Sequence, residues 1–265
     1  VAIMNPLDQV LLSWAAIFLL INVTFFIART INNAGIIDVF WGFSFGLLAT
    51  YFSLTGEGNE LRRILLSIIV CLWSFRLGIY LFIRCWKLHP KEDRRYANLR
   101  DKWADKNNSK MFVFFHFQGL AIMVFALIFA VPTWNKDPDI SFVEYLGLLL
   151  VIIAFLGEAL ADLQLARFKK KSKIYEVCRA GLWNYSRHPN YFFQWLAWIG
   201  YYVFAFNSNG WWTIYCPILM LFLLLKVTGV SNNEIQNIAS KGDAYKKYQK
   251  TTSSFIPLPP KKYSS

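Results

Sequence analysis

The segment FVEYLGLLLVIIAFLGEALADLQL (residues 142–165) is followed almost at once by the basic run RFKKKSK (residues 167–173). A helix needs about 20 mainly apolar residues to cross a bilayer. Lysine and arginine collect in the loops on the cytoplasmic side of a membrane. The two segments together therefore predict a transmembrane helix whose C-terminal end faces the cytoplasm.

The composition of the whole chain agrees with a membrane protein. Hydrophobic residues make up 56% of the 265 residues, charged residues make up 17%, and the mean hydropathy is +0.35. An average soluble domain is roughly 45–50% apolar and about 25% charged. The aromatic share of 18% is typical of a bilayer protein with interfacial belts. These values exclude a disordered, collagen-like or coiled-coil chain.

Seven segments have the length and apolarity of membrane spans. We therefore predict an all-α integral membrane protein with seven transmembrane helices, forming a single domain over residues 1–265. The predicted spans are Leu7–Ala28, Gly35–Leu54, Ile64–Trp86, Phe112–Val131, Phe142–Leu165, Tyr191–Phe206 and Trp211–Val230.

The distribution of positive charge predicts the orientation of these spans. Seven spans place 24 of the 28 Lys and Arg residues on one side, in residues 29–35, 84–110, 166–190 and the segment after Leu225. The positive-inside rule then puts the C-terminus in the cytoplasm and the N-terminus outside. Loops 84–110 and 166–190 and the tail 231–265 are predicted to cover a site on the cytoplasmic face. Loops this short, held against a membrane, argue against nucleic acid as a partner.

Four ionisable residues fall inside predicted spans, where they are costly and usually face a cavity or a partner. They are Asp38, Arg76, Glu158 and Asp162. Glu158 and Asp162 are four residues apart and share one helix face. A buried structural pair is the other interpretation of Asp38 and Arg76, and a hydrated helix end is the other interpretation of Glu158 and Asp162.

A dense polar segment, Gly181-Leu-Trp-Asn-Tyr-Ser-Arg-His-Pro-Asn-Tyr-Phe-Phe-Gln-Trp195, leads into the sixth predicted span. Pro189 suits the first turn of a helix. The start of that helix, with Arg187 and His188 beside it, predicts an anion site at the cytoplasmic mouth. Asn190 faces the same mouth, and Gln194 lies one turn further into the membrane on the same face. An interfacial anchor of Trp, Tyr and Arg is the alternative.

The basic run after Asp162 predicts a phosphorylated cofactor. Lysine and arginine neutralise phosphates, and an acid accepts hydrogen bonds from a ribose or adenine. A solvated cluster that faces lipid headgroups is the alternative. The sequence contains no glycine-rich dinucleotide fingerprint, so a nucleotide site has to be built between helices. Its four Cys and three His form no CxxC or HxxxH pattern, and we predict no metal site.

At these residues the sequence resembles the membrane-bound steroid 5α-reductase family, and its bacterial members most closely. Glu158-Ala-Leu-Ala-Asp162 matches the Asn–x–x–x–Asp pair of that family, and Gly181-Leu-Trp-Asn-Tyr185 matches its run before the sixth span. Trp198-Ile-Gly-Tyr201, Gln118-Gly119 and the tail from Tyr248 to Pro257 are further points of likeness.

The resemblance implies a seven-helix enzyme that binds NADPH from the cytoplasm and reduces the carbon–carbon double bond of a 3-oxo-4-ene steroid or a similar enone lipid. An acid of the second span, here Asp38, would polarise the ketone oxygen together with a third-span tyrosine. Trp73 stands near that tyrosine position, Glu158 stands in place of an Asn, and Gln194 stands in place of a Glu.

The predicted site residues fall into three groups. Asp38 and Trp73 are predicted to be catalytic, and Trp41 and Gln118 to bind the substrate. In the predicted mechanism a protonated Asp38 donates a hydrogen bond to the ketone oxygen, because an apolar site disfavours a charged carboxylate. The indole N–H of Trp41 or Trp73 is a second donor. The predicted cofactor contacts are Arg76, Glu158, Asp162, Lys169, Tyr175, Arg187, His188, Asn190, Gln194 and Asn237.

The expected partners are an apolar substrate that enters from the bilayer and the membrane lipids themselves, with no obligatory protein partner. The expected location is a membrane crossed several times, the inner membrane if the host is bacterial, with the cofactor site facing the cytoplasm. Two other functions fit parts of the sequence. Arg187-His-Pro-Asn-Tyr191 and Glu234 also resemble S-adenosylmethionine-dependent membrane methyltransferases of the isoprenylcysteine carboxyl type. A non-catalytic membrane lipid-binding protein is the third interpretation.

Overall fold

The computed structural model describes residues 3–104, 107–173, 175–227 and 229–261, and its named elements are all helical. The chain divides into two compact units. One comprises Val1–Ile140 with Ser208–Gly210, and the other comprises Ser141–Asn207 with Trp211–Ser265. The sequence predicted one domain without distinguishing these units.

The first unit contains the first four predicted spans and one shorter helix. Its helices are α1 (Pro6–Thr30), α2 (Ile36–Thr55), α3 (Glu60–Leu88), α4 (Arg94–Trp103) and α5 (Asn107–Ala130). α1 begins where the side chain of Asn5 accepts a hydrogen bond from the Asp8 N–H, and α3 begins in the same way at Asn59. Such caps satisfy N–H groups that the first turn leaves open.

α4 was not predicted, because residues 84–110 were interpreted as a loop. Asp93 caps this helix by accepting from the Arg95 N–H. The helix presents Tyr96, Leu99 and Trp103 to a core formed with residues of α1, α2 and α5. These three positions repeat at the spacing of one helix face. The basic segment is therefore packed onto the end of the first unit.

The second unit contains one long span and a series of shorter helices. They are α6 (Phe142–Lys171), α7 (Pro189–Ala205), α8 (Tyr215–Phe222), α9 (Val230–Lys241) and α10 (Asp243–Thr251). α6 begins with a capping box, in which Ser141 and Glu144 bond reciprocally to each other's backbone N–H.

α6 and α7 pack closely because glycines lie at their contact. A Cβ atom added to Gly147 would lie 2.6 Å from the backbone nitrogen of Phe204, and one added to Gly200 would lie 2.6 Å from the side chain of Val151. In membranes, helices associate through such close van der Waals packing at small residues. The contact fixes α6 against α7, which carry five of the ten predicted cofactor residues.

Six helical stretches in the described residues are long and apolar enough to cross a membrane, where the sequence predicted seven. The predicted spans Tyr191–Phe206 and Trp211–Val230 both fall in the sixth stretch, Pro189–Lys241. This stretch is not one straight helix. Ser208 and Asn209 leave the helical conformation, and the indole N–H of Trp195 donates to the carbonyl of Pro217 over 3.0 Å.

That hydrogen bond joins residues 22 positions apart. In a straight helix they would be separated by about 33 Å at 1.5 Å per residue. The chain therefore folds back between α7 and α8. Large apolar side chains stay exposed on the long helices, among them Phe18, Trp86 and Leu156. An integral protein that crosses the membrane several times accounts for them, since lipid covers such surfaces.

Candidate functional site

Glu234 of α9 is the centre of a polar cluster in the second unit. Its carboxylate accepts from Nε and Nη2 of Arg187 over 2.9 and 3.0 Å, and from the hydroxyl of Tyr245 over 2.7 Å. Nε2 of His188 lies 2.8 Å from the same carboxylate, and the amide of Gln249 donates to it as well. A bidentate arginine–carboxylate pair is among the strongest polar contacts in proteins.

The same cluster holds the C-terminal tail against the turn before α7. Nη1 of Arg187 donates to the carbonyl of Thr252 over 2.6 Å. The backbone N–H of Arg187 donates to Ser253, and the hydroxyl of Ser186 donates to the carbonyl of Phe255. The hydroxyl of Tyr248 donates to the carbonyl of Trp183. The tail and the turn are thus one structural element.

These contacts give Arg187 and His188 a structural role that the sequence did not predict. The sequence predicted that both would bind an anion at the start of the sixth span. In the structure the donors of Arg187 are directed at Glu234 and at backbone carbonyls, and the side chain of His188 is 4% exposed. The charge of the guanidinium is neutralised by Glu234, so the pair fastens α9 and the tail to α7.

One face of α6 carries three of the predicted cofactor residues. Glu158, Asp162 and Lys169 are separated by four and seven positions, which places them on the same side of the helix. Asn190 of α7 donates to Oδ1 of Asp162 over 3.3 Å. The structure therefore brings Asp162 and Asn190 together, as expected. Glu158 is buried and Lys169 is exposed.

Gln194 and Asn237 lie on neighbouring elements of this unit. Gln194 is half-buried on α7, one turn beyond Asn190. The side chain of Asn237 donates to the carbonyl of Asn233, and its oxygen accepts from Nζ of Lys241 over 2.7 Å. Asn237 therefore supports a lysine of α9.

An open groove of about 550 Å³ lies near the C-terminal end of α6. We call it the basic groove. Phe168, Tyr175 and Arg179 line it together with Ala244 and Lys247 of α10. The guanidinium of Arg179 lies over the ring of Tyr248, 5.1 Å from its centre. A volume of this size is within the usual range for small-molecule sites.

The positive charge around the basic groove also acts on Cys178. Burial raises the pKa of this thiol, while the charges of Lys241 and Lys169 act to lower it. Two further lysines are thus close enough to influence the segment that lines the groove. Of the lining residues, Glu176 alone is acidic.

The first unit holds a second polar cluster, around Asp38 on the first turn of α2. The hydroxyl of Tyr96 donates to Oδ1 of Asp38 over 2.6 Å, and Nη2 of Arg95 donates to Oδ2 over 2.7 Å. The side chains of Asp38 and Arg95 are 27% and 30% exposed. Tyr96 is buried, and burial followed by the charge of Asp38 raises its pKa well above the ordinary value.

This arrangement bears on the predicted chemistry of Asp38. The sequence predicted a protonated acid that donates a hydrogen bond. In the structure Asp38 accepts from two donors, the hydroxyl of Tyr96 and the guanidinium of Arg95.

Acidic residues just before α4 hold this cluster in place. Asp93 accepts from Nε and from the backbone N–H of Arg95, and pairs with Arg84. Burial acts to raise the pKa of Asp93, but the hydrogen bonds and charges of these arginines lower it below its ordinary value. Glu92 accepts from Arg100 and from the backbone N–H of Ala34, which ties the segment to the start of α2.

Arg95 and Tyr96 are the residues that the sequence analysis missed. The signal was present in Asp93, a preferred cap residue, followed by the helical spacing of Tyr96, Leu99 and Trp103. The excess of arginine and lysine in this segment led to its interpretation as a loop at the headgroups.

The remaining predicted residues lie in or beside aromatic packing. Trp73 is fully buried, with its ring 6.0 Å from that of Phe45, which argues against direct contact with a substrate. Trp41 is half-buried and meets Phe45 and Phe125 edge to face.

Three predicted residues are placed by burial alone. Gln118 on α5 and Arg76 on α3 are half-buried, and Tyr175 is exposed at the basic groove. Among the residues that the structure describes, no group of three or more His, Cys, Asp or Glu side chains is arranged to hold a metal ion.

Comparisons with known proteins found one family model and one distant relative that each cover most of the chain. A family model described as "Protein of unknown function (DUF1295)" matches residues 24–252. An uncharacterized protein of Schizosaccharomyces pombe is 23% identical over 273 residues, which cover 91% of this chain and 77% of that relative. No solved structure matches the chain.

Proposed function

This chain belongs to the DUF1295 family, whose model spans most of its length, and from that premise we propose that it is an NADPH-dependent reductase of the carbon–carbon double bond in a 3-oxo-4-ene steroid or a similar enone lipid. DUF1295 is related to steroid 5α-reductase-like membrane proteins. The observation that carries the proposal is the polar face of α6. This face carries Lys169 and Asp162, which pairs with Asn190, and the neighbouring Phe168 lines the basic groove.

The residues of the second unit fit a phosphorylated dinucleotide. Asp162 offers a carboxylate to ribose hydroxyls, and Asn190 holds that carboxylate in place. Lys169, seven residues further, lies about 10 Å along the helix and offers a positive charge to phosphates. NADPH, when bound, supplies the hydride that adds to the β carbon of the enone. Arg187 and His188 support the site by fixing the turn that carries Asn190.

The first unit, taken by itself, offers groups that suit a ketone oxygen. Negative charge develops on the ketone oxygen as the β carbon is reduced. We propose that the guanidinium of Arg95 donates to this oxygen, and that Asp38, which accepts from both Arg95 and Tyr96, holds the guanidinium in place. One such donor contributes roughly 3–4 kcal/mol to the stabilisation of an oxyanion. In this proposal Arg95 takes the part that the third-span tyrosine plays in the resembling family.

We further propose that the chain crosses the membrane seven times, with the N-terminus outside and both polar clusters at the cytoplasmic face. The return of the chain between α7 and α8 supports a seventh crossing. The positive charge of residues 84–110, 166–190 and the tail supports the orientation.

Purification in mild detergent, followed by fluorescence of the reduced nicotinamide ring, tests the proposed function. We expect bound NADPH, and we expect progesterone or testosterone to accelerate its oxidation. Asp162→Asn removes the acceptor charge and should weaken NADPH binding about tenfold or more. Asp243→Asn is the matched control, because Asp243 is exposed and pairs only with a surface lysine in the described contacts.

Three results would count against the proposal, and each has its own meaning. Binding of S-adenosylmethionine without binding of nicotinamide would favour the methyltransferase interpretation. Absence of nucleotide binding, with unchanged lipid binding in Asp162→Asn, would favour a non-catalytic lipid-binding protein. Equal NADPH affinity in Asp162→Asn and wild type would remove the α6 face from the cofactor site.

A further inference from the structure

We propose that the basic groove selects NADPH over NADH by receiving the 2′-phosphate of the adenosine half, with Arg179 and Lys247 as the selecting residues. This inference rests on the proposed function, and it adds two residues that the sequence analysis did not single out. Both residues line the same groove, from the segment after α6 and from α10.

The first argument is the shape of the basic groove. Its volume of about 550 Å³ accommodates part of a nucleotide. Phe168 and the exposed ring of Tyr175 line it, and an aromatic ring offers a flat surface to an adenine base. The groove therefore combines a surface for a planar base with groups for a phosphate.

The second argument is that Arg179 is held in place. Its guanidinium stacks on the ring of Tyr248, a residue that is 2% exposed and bonded to the turn at Trp183. A side chain that is ordered before binding loses less entropy when a ligand arrives. Arginine also matches the geometry of phosphate oxygens through paired N–H groups.

The third argument is the surplus of positive charge. Arg179 and Lys247 line the groove, and the charges of Lys169 and Lys241 reach Cys178, next to Arg179 in the sequence. Glu176 is the acidic residue that lines the groove. A phosphate monoester carries up to two negative charges near neutral pH, and this surplus matches it.

The test is a binding measurement with two soluble probes that differ by one phosphate. Adenosine 2′,5′-bisphosphate and adenosine 5′-monophosphate are titrated into the purified full-length protein by calorimetry. We expect the bisphosphate to bind more tightly. Lys247→Gln should weaken the binding of the bisphosphate about 10- to 100-fold, since one charged hydrogen bond contributes that much. The affinity for the monophosphate should change less than about twofold.

Lys246→Gln is the matched control, because the adjacent Lys246 is exposed and pairs with Asp243 outside the groove lining. Arg179→Lys keeps the charge and should retain most of the selectivity that Arg179→Gln loses. Kinetics with NADPH and NADH provide the second readout. Lys247→Gln should raise the KM for NADPH and leave the KM for NADH unchanged.

The inference would be overturned if Lys247→Gln weakened the binding of both probes equally, or raised the KM for both cofactors equally. A second pair of results would also overturn it. If nanodiscs of phosphatidylglycerol, but not of phosphatidylcholine, displaced the bisphosphate, and if Lys247→Gln weakened only the binding of that lipid, the occupant of the groove would be a lipid headgroup. Selective bisphosphate binding in a protein that reduces no enone would uphold the groove assignment and reject the proposed reaction. Reductase activity without bisphosphate selectivity would do the reverse.

Discussion

The hydroxyl of Tyr96 donates to Oδ1 of Asp38 over 2.6 Å, and this hydrogen bond joins α4 to the first turn of α2. Tyr96 is almost fully enclosed, whereas Asp38 is partly exposed. The bond therefore connects the packed core to a polar surface. It makes α4 part of the candidate site, since the position of the carboxylate depends on a residue of that helix.

Replacement of Tyr96 by Phe removes the hydroxyl and keeps the ring that packs in the core. We expect kcat for enone reduction to fall about tenfold, because Asp38 loses one of its two donors and then holds Arg95 less firmly. NADPH affinity should change less than about twofold. Steady-state kinetics and nicotinamide fluorescence measure the two quantities. Tyr145→Phe, at an exposed tyrosine of α6, is the control. An unchanged kcat in a well-folded Tyr96→Phe protein would limit Tyr96 to packing.

Acid should weaken the fold through Asp93. The pKa of this carboxyl lies below its ordinary value of 3.8, so its ionised form stabilises the folded state above that value. The contribution disappears as the pH falls through the lower folded-state pKa. Asp93→Asn keeps the cap of α4, since Asn caps as well as Asp. It should cost about 1 kcal/mol at pH 7, because the paired arginines are partly exposed.

Thermal melting followed by tryptophan fluorescence, at several pH values, measures this effect. The difference in Tm between Asp93→Asn and the wild type should be constant from pH 7 to about pH 5 and should shrink below about pH 4. A difference that grows with acid would mean that other carboxylates control the transition. Asp101→Asn, at an exposed position of α4, should show no difference at any pH.

Glu234→Gln should destabilise the second unit strongly. The substitution keeps the shape but removes the charge, which leaves the guanidinium of Arg187 mostly buried without its partner. Breaking a buried ion pair in this way costs roughly 3–5 kcal/mol, which corresponds to a fall in Tm of roughly 10 °C.

A double-mutant cycle separates this interaction from other effects of the substitution. Arg187→Gln should cost a similar amount alone, and it should add little in the Glu234→Gln background, because the pair acts as one interaction. Strictly additive losses would show that the two residues stabilise the protein independently.

Much of the fold follows from apolar segment length, and this explains why the first six predicted spans coincide with α1, α2, α3, α5, α6 and α7, whereas the seventh extends beyond α8 at both ends. The helix caps Asn5 and Ser141 are also local features, because each side chain accepts from the backbone N–H three residues later. The contact between Asp162 and Asn190 was not predicted, although one lies near the end of α6 and the other at the start of α7.

The misplaced features depend on contacts between distant residues. Arg187 is paired with Glu234 because α9 brings this residue, 47 positions later in the chain, next to the guanidinium. Whether Asp38 donates or accepts depends on Tyr96, 58 positions away. Local pattern carries no information about such pairings, because the tertiary structure brings the partners together.

Gly147→Ala should disrupt the contact between α6 and α7, because the new Cβ atom would lie 2.6 Å from a backbone nitrogen. A backbone atom cannot move aside without shifting its helix, and such overpacking typically costs about 1–3 kcal/mol. Gly119→Ala is the control, since its Cβ would meet Ile21 at an ordinary 3.5 Å. Melting temperatures should fall in the first variant and be unchanged or higher in the second. Equal melting temperatures would show that α6 and α7 separate more easily than this contact implies.

Asn209 and Lys250 should lie on opposite sides of the membrane. The chain leaves helical geometry at Asn209 and folds back so that Trp195 bonds to Pro217. If α7 and the segment after it each cross the bilayer, Asn209 lies at the outer face and the tail lies in the cytoplasm. Single cysteines at these exposed positions, in a protein whose four native cysteines are replaced, report their location through a membrane-impermeant maleimide. We expect Asn209→Cys to react on intact cells and Lys250→Cys to react only after permeabilisation. Reaction of both only after permeabilisation would mean that the turn at Asn209 stays on the cytoplasmic side, and the count of seven spans would then be wrong.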